Sequence, residues 1–159
     1  MNDEHLKTYL NDHLAGSVAA LELIERSSKS NAESPLGDFL ERLYREVEAD
    51  QDVLKALLGR IGGGENPVKK AGAWLLEKVS RAKLNDHLVR YSDLSRLEEL
   101  EGLLLGVRGK LALWGGLEAT FSDDERFAHL DFAELKGRAQ AQLEEIERHR
   151  LEAAQRALR

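Results

Sequence analysis

The chain has 159 residues, of which 42% are hydrophobic and 33% charged, and its formal net charge is −6. This composition is typical of folded proteins and predicts a single domain over residues 1–159. The negative charge makes nucleic acid a poor partner, and the absence of cysteine excludes disulfides, thiolate metal sites and a cysteine nucleophile. Because the N-terminal sequence is acidic and no apolar run is long enough to span a bilayer, we expect a cytoplasmic protein without a membrane partner.

Five helices are predicted, because Leu, Ala, Glu and Arg dominate the sequence while β-branched residues are sparse. The first covers about residues 3–28, where apolar side chains recur at steps of three and four. Ser34 is positioned to cap the second helix, with Pro35 in its first turn. The glycines at 62–64 end that helix, since they adopt left-handed backbone geometry easily.

A third, shorter helix is predicted over about residues 68–83. The fourth begins at Ser92 or Asp93, or a few residues later, and runs to about residue 120. Asp131 caps the fifth, which extends to the C-terminus. The order long, long, short, long, long predicts an all-α four-helix bundle of two antiparallel pairs joined by a short crossover helix. An irregular five-helix bundle is the alternative.

Two segments suggest a family. Residues 9–17 read Tyr-Leu-Asn-Asp-His-Leu-Ala-Gly-Ser, and residues 43–50 read Leu-Tyr-Arg-Glu-Val-Glu-Ala-Asp. Together they resemble the first helical pair of ferritin-like proteins, and most closely the small bacterial stress-associated members. The resemblance implies a ferritin-like bundle, in which di-iron members hold metal with inward glutamates and Glu-x-x-His motifs.

No Glu-x-x-His occurs in the sequence, so we expect no metal cofactor. The simplest interpretation of the glutamates is that they lie on solvent-exposed faces of their helices. The alternative is a divergent iron or manganese oxidoreductase-type protein. Its ligands would come from Glu22, Asp50, Glu101 and Glu145.

Polar residues interrupt the apolar stripes of several predicted helices at similar heights. Because a buried charge requires a partner, we expect Asp50 or Glu101 to pair with Arg108, and Gln51 or Gln142 to complete the hydrogen bonds. The structural interpretations of this polar layer are a buried network that fixes helix register and a set of residues at the rim of the bundle. The functional interpretations are a small-ligand pocket and the vestige of a metal site. The predicted members of the layer are Ser17, Asp50, Gln51, Glu101, Arg108 and Gln142.

Glycines are unusually frequent in the fourth predicted helix. Gly102, Gly106 and Gly109 fall along one of its faces, although each costs about 1 kcal/mol relative to alanine within a helix. A face without side chains allows another backbone to approach closely. We expect that partner to be the crossover helix carrying Trp74, or else a second subunit.

These patterns contain no catalytic residue that we would assign. The leading functional hypothesis is therefore a non-catalytic scaffold or protein-interaction module, acting as a homodimer or with another protein. The alternatives are the divergent di-metal protein and a small-ligand binder that uses the polar layer.

Overall fold

The computed structural model describes residues 3–62 and 91–159. These residues form four α-helices and no strand, which confirms the all-α prediction for this part of the chain. The predicted crossover helix, with Trp74, lies outside the described residues. The four helices are α1 (Asp3–Ser30), α2 (Pro35–Arg60), α3 (Asp93–Phe121) and α4 (Phe132–Ala157).

Local sequence sets where these helices begin and end. Ser34, Ser92 and Asp131 each accept a hydrogen bond from the backbone N–H three residues later, at 3.1, 3.2 and 2.9 Å. This bond satisfies one of the amide groups that a helix start leaves without an intrahelical partner. Gly62, just after α2, has φ +70°, the left-handed conformation that favours glycine. The predicted caps of α2, α3 and α4 are confirmed.

Two clusters of buried apolar side chains hold the helices together, and every helix contributes to both. Burying one such side chain contributes about 1.5–3 kcal/mol. α1 packs along α2 and α3 along α4, while α1 also contacts α3. The first cluster includes Ile24, Leu40, Leu100 and Ile146. The second includes Leu10, Leu57, Trp114 and Leu135.

None of the helices within residues 3–62 and 91–159 combines the length and the apolar character that a bilayer-spanning helix needs.

Candidate functional site

A cleft of about 360 Å³ lies between α1 and α3, with α2 at its floor. Its deep walls are buried apolar side chains, among them Ile24, Leu54 and Val107. Its rim carries two large side chains that are well exposed, Tyr9 at 41% and Leu105 at 57%. The polar and charged groups that line it are Asp12, His13, Ser17, Asp50, Gln51 and Lys110.

Glycines on both walls keep this cleft open. A Cβ atom added at Gly16, Gly106 or Gly109 would meet no atom within 4 Å. Gly102 differs, because a Cβ there would lie 3.3 Å from the Leu23 side chain of α1. Among the described residues, the neighbour at Gly102 is therefore the α1 helix, which is neither of the predicted partners, and the other two α3 glycines border open space.

The first predicted partner of that face, the crossover helix with Trp74, lies outside the described residues, and the second subunit stays a prediction.

An ion-pair network centred on Asp50 closes the floor of the cleft. The Asp50 side chain is only 3% exposed. Its Oδ2 accepts a hydrogen bond from Lys110 Nζ at 2.6 Å, and its Oδ1 accepts from Arg138 Nη2 at 2.6 Å. Lys110 Nζ also donates to Gln142 Oε1 at 2.5 Å, and Gln142 Nε2 donates to Glu46 Oε2 at 2.7 Å. The network joins α2, α3 and α4.

Burial affects the protonation of this network. It lowers the pKa of Lys110, and the attraction of the Asp50 carboxylate opposes that shift. The charged form of Lys110 is therefore stabilised chiefly by the Asp50 carboxylate, since burial by itself disfavours the ammonium.

A second contact crosses the cleft wall between α1 and α2. Gln51 Nε2 donates to Ser17 Oγ at 2.9 Å, and the Ser17 hydroxyl donates to the Leu14 carbonyl oxygen at 2.7 Å. Because the Ser17 proton is already donated to the backbone, its hydroxyl is not activated as a nucleophile. Ser17 and Gln51 thus serve as polar anchors on an apolar wall.

The structure corrects two members of the predicted polar layer. Asp50, Gln51 and Gln142 are buried and hydrogen-bonded, and Ser17 is half-buried beside them. Glu101 and Arg108, however, are exposed on α3. The predicted pairing of Asp50 or Glu101 with Arg108 is therefore wrong.

The actual cations are Lys110 and Arg138, which the sequence reasoning missed. Lys110 follows the buried Val107 by three positions and precedes the buried Trp114 by four, so it shares their helix face. That spacing was the one available signal for Lys110. Arg138 has the same signal, since it follows the buried Leu135 by three positions and precedes the buried Gln142 by four.

The alternative metal-ligand set is not assembled. Glu22 and Glu101 are exposed, Glu145 accepts a hydrogen bond from Arg42 at 2.7 Å, and Asp50 is bound by two cations. Within residues 3–62 and 91–159, no group of three His, Cys, Asp or Glu side chains could hold a metal ion. Of the four predicted ligands only Asp50 is buried, and its carboxylate oxygens already accept hydrogen bonds from Lys110 and Arg138.

His13, on the α1 side of the cleft, favours its neutral form. Burial lowers its pKa below the ordinary value of 6.5, although the neighbouring Asp12 carboxylate acts in the opposite direction. Its ring meets the Tyr9 ring edge to face, with centroids 4.7 Å apart.

Another polar cluster, which the sequence reasoning did not detect, joins the end of α1 to the start of α3. Asn31 Nδ2 donates to the Tyr91 hydroxyl at 2.7 Å, and Arg96 Nε donates to Asn31 Oδ1 at 2.7 Å. The Tyr91 hydroxyl donates to Glu99 Oε2 at 3.2 Å, and Arg26 Nε donates to Glu99 Oε1 at 3.3 Å. Burial raises the pKa of Tyr91, and the Glu99 charge adds to this. This cluster is separate from the cleft.

A buried histidine packs between α2 and α4. The His149 ring stacks on Phe39 with centroids 5.2 Å apart, and Arg148 Nη2 donates to His149 Nε2 at 3.0 Å. An arginine can only donate, so Nε2 is the acceptor of a neutral ring. Burial, followed by the charge of Arg148, lowers the pKa of His149.

Comparison with known proteins gives no family for this chain, because no protein-family model, no curated protein and no solved structure matches it. What the site can do is therefore argued from its own geometry.

Proposed function

We propose that this protein binds a small, largely apolar molecule in the cleft between α1 and α3, without converting it chemically. The cleft itself is the observation that carries the proposal. Its volume of about 360 Å³ lies within the range of small-molecule pockets, which are mainly apolar with a few placed polar groups.

The glycines support this proposal independently of the volume. A glycine within a helix costs about 1 kcal/mol relative to alanine. At Gly16, Gly106 and Gly109 a methyl group would meet no neighbour, so packing between the helices does not require glycine there. Retaining empty space in the cleft is a purpose that glycine serves at all three positions.

Filling the cleft tests the proposal. Gly106→Leu places a side chain in the cleft, at a position where a Cβ meets no atom within 4 Å. Gly137→Leu is the matched control, because Gly137 is exposed on α4, does not line the cleft and also has no neighbour within 4 Å. The probe is 1-octanol, titrated by isothermal calorimetry.

We expect saturable octanol binding to the wild type and to Gly137→Leu, with at least tenfold weaker binding to Gly106→Leu. Thermal melting of both variants verifies that they fold. Equal binding by all three proteins, or no saturable binding by the wild type, would refute the proposal.

We further propose that the helices form a ferritin-like bundle of two antiparallel pairs, as the resemblance implies. The cluster membership supports this arrangement. Ile24, late in α1, shares a cluster with Leu40, early in α2, whereas Leu10 shares the other cluster with Leu57. In the same way, the early part of α3 shares a cluster with the later part of α4, and the late part of α3 shares the other cluster with the start of α4.

Spin labels provide the test, because the chain has no cysteine of its own. Labels at Thr8 and Arg60, both exposed, would lie within roughly 20 Å of each other in an antiparallel pair. A parallel pair would separate them by about 40 Å, the length of a 26-residue helix.

A second candidate function is a protein-interaction module that forms a homodimer. The exposed Tyr9 and Leu105 at the cleft rim favour it, because large apolar side chains at the mouth of an apolar groove suit a protein partner. Light scattering of the wild type and of Leu105→Glu tests this: a dimer that dissociates in the variant would support it. A wild-type monomer at all concentrations would refute it.

A cytoplasmic location stays a prediction from the absence of cysteine.

A further inference from the structure

The charges that line the cleft are not balanced. Three charged side chains lie on its walls, namely Asp12, Asp50 and Lys110. Asp50 and Lys110 are paired with each other at 2.6 Å, and Asp50 also binds Arg138 behind the wall. The Lys110 ammonium is directed at Asp50 and Gln142, so its charge is committed within the protein.

Asp12 is the exception. Its side chain is half-buried at the α1 wall and makes no hydrogen bond or ion pair with any residue in 3–62 or 91–159. The neighbouring His13 does not supply a countercharge at neutral pH, because burial holds its pKa below 6.5. An unpaired carboxylate therefore stands beside a largely apolar surface.

Gly16 extends this arrangement along the helix. It follows Asp12 by four positions, so both lie on the same face of α1 and both line the cleft. A molecule bound over Gly16 would therefore pass the Asp12 carboxylate at one end and the buried apolar walls at the other.

We propose that the ligand of the cleft is an organic amine, whose ammonium group binds the Asp12 carboxylate while its apolar body occupies the space over the glycines. This inference rests on the proposed binding function. An apolar carboxylate is disfavoured, since Asp12 would repel it and Lys110 Nζ already donates to Asp50 and Gln142.

Three probes of equal chain length separate the possibilities: n-octylammonium, 1-octanol and octanoate, titrated by calorimetry at pH 7.5 and low ionic strength. We expect octylammonium to bind the wild type at least tenfold more tightly than octanol, and octanoate to bind most weakly. Asp12→Asn should remove the preference for the amine.

Asp52→Asn is the matched control. Asp52 pairs with Lys55 on the outer surface and does not line the cleft, so this variant removes the same charge from elsewhere. It should keep the full preference for octylammonium. Since Asp12 has no partner among the described residues, Asp12→Asn should also melt like the wild type.

The outcomes distinguish this inference from the proposal beneath it. If octanol binds and Gly106→Leu blocks it, but the amine has no advantage or Asp12→Asn retains that advantage, the amine assignment is overturned and the binding function stands. Tightest binding of octanoate would also overturn the assignment. If octanol shows no binding that Gly106→Leu weakens, both fail.

Discussion

Removing the Asp50 carboxylate tests how the core of this protein is held together. In the wild type this side chain is 3% exposed and accepts three hydrogen bonds, from Lys110 Nζ at 2.6 Å and from Arg138 Nη2 and Nε at 2.6 and 3.0 Å. Asp50→Ala leaves both cations without their shared acceptor. The two cations differ in the hydrogen-bond and ion-pair partners that they retain.

Arg138 is 27% exposed and lies 3.6 Å from Glu134, so it can pair there. Lys110 is 13% exposed and retains only the neutral Gln142 oxygen. Removing one member of a buried ion pair costs about 3–5 kcal/mol, and because Arg138 can pair again we expect about 3 kcal/mol. At about 2–4 °C per kcal/mol for a chain of this size, the melting temperature falls by about 6–12 °C.

Urea and thermal unfolding, followed by circular dichroism, measure this loss. The pH dependence identifies its cause. Without Asp50 nothing strong opposes the burial that lowers the Lys110 pKa, so that pKa falls further. Between this lowered pKa and about 10.5, the unfolded chain binds a proton that the folded chain has lost, and the free energy of unfolding rises with pH. The deficit of Asp50→Ala should therefore shrink as the pH approaches 10.

The double variant Asp50→Leu with Lys110→Met is the control. It replaces the central pair with apolar side chains, and such replacements are often neutral or stabilising by 1–4 kcal/mol. We expect it to be at least as stable as the wild type. A loss below about 1 kcal/mol in Asp50→Ala, or a double variant as unstable as the single one, would contradict the burial of this network.

Three further predictions follow from individual contacts. Gly37→Ala places a Cβ against the backbone carbonyl of Asn31, so thermal melting should show a loss of about 1–3 kcal/mol, whereas Gly59→Ala, which meets nothing, should be neutral or stabilising. Trp114→Phe should change the free energy of unfolding by less than about 1 kcal/mol. The buried Nε1–H has no acceptor among the described residues, so removing this unsatisfied donor offsets the loss of buried apolar area. A loss above about 3 kcal/mol in urea unfolding would show instead that Nε1 has an acceptor. The wild type should lose stability as the pH falls below 6.5, since the unfolded chain then binds protons that His149 in the fold resists, and His149→Phe should reduce this slope in melts from pH 8 to 5.

The helices and their ends follow from the sequence because their causes are local. A cap such as Ser34 or Asp131 bonds to an amide three residues away, within one turn of the chain. The burial of Asp50, Gln51 and Gln142 was predictable for the same reason. Each lies on its helix's apolar stripe, and the period of 3.6 residues places it inward.

The partners of these buried groups were decided only by the tertiary structure. Lys110 and Arg138 lie 60 and 88 residues from Asp50, and no local pattern connects them. Apolar residues also occur on all sides of α3, so its stripe does not identify one inward face. For that reason the sequence pattern does not distinguish Lys110, which faces the core, from the exposed Arg108.

The cleft was also decided only by the tertiary structure. The glycines of α3 are visible in the sequence, but whether a glycine admits a neighbouring helix or borders open space depends on where α1 lies. At Gly102 the Leu23 side chain is close, whereas at Gly106 and Gly109 no atom is. Composition and periodicity determined that this chain forms helices with glycine-rich faces. Only the placement of α1 against α3 turned one of those faces into a cleft, because the volume between two helices depends on their distance and orientation and not on either sequence alone.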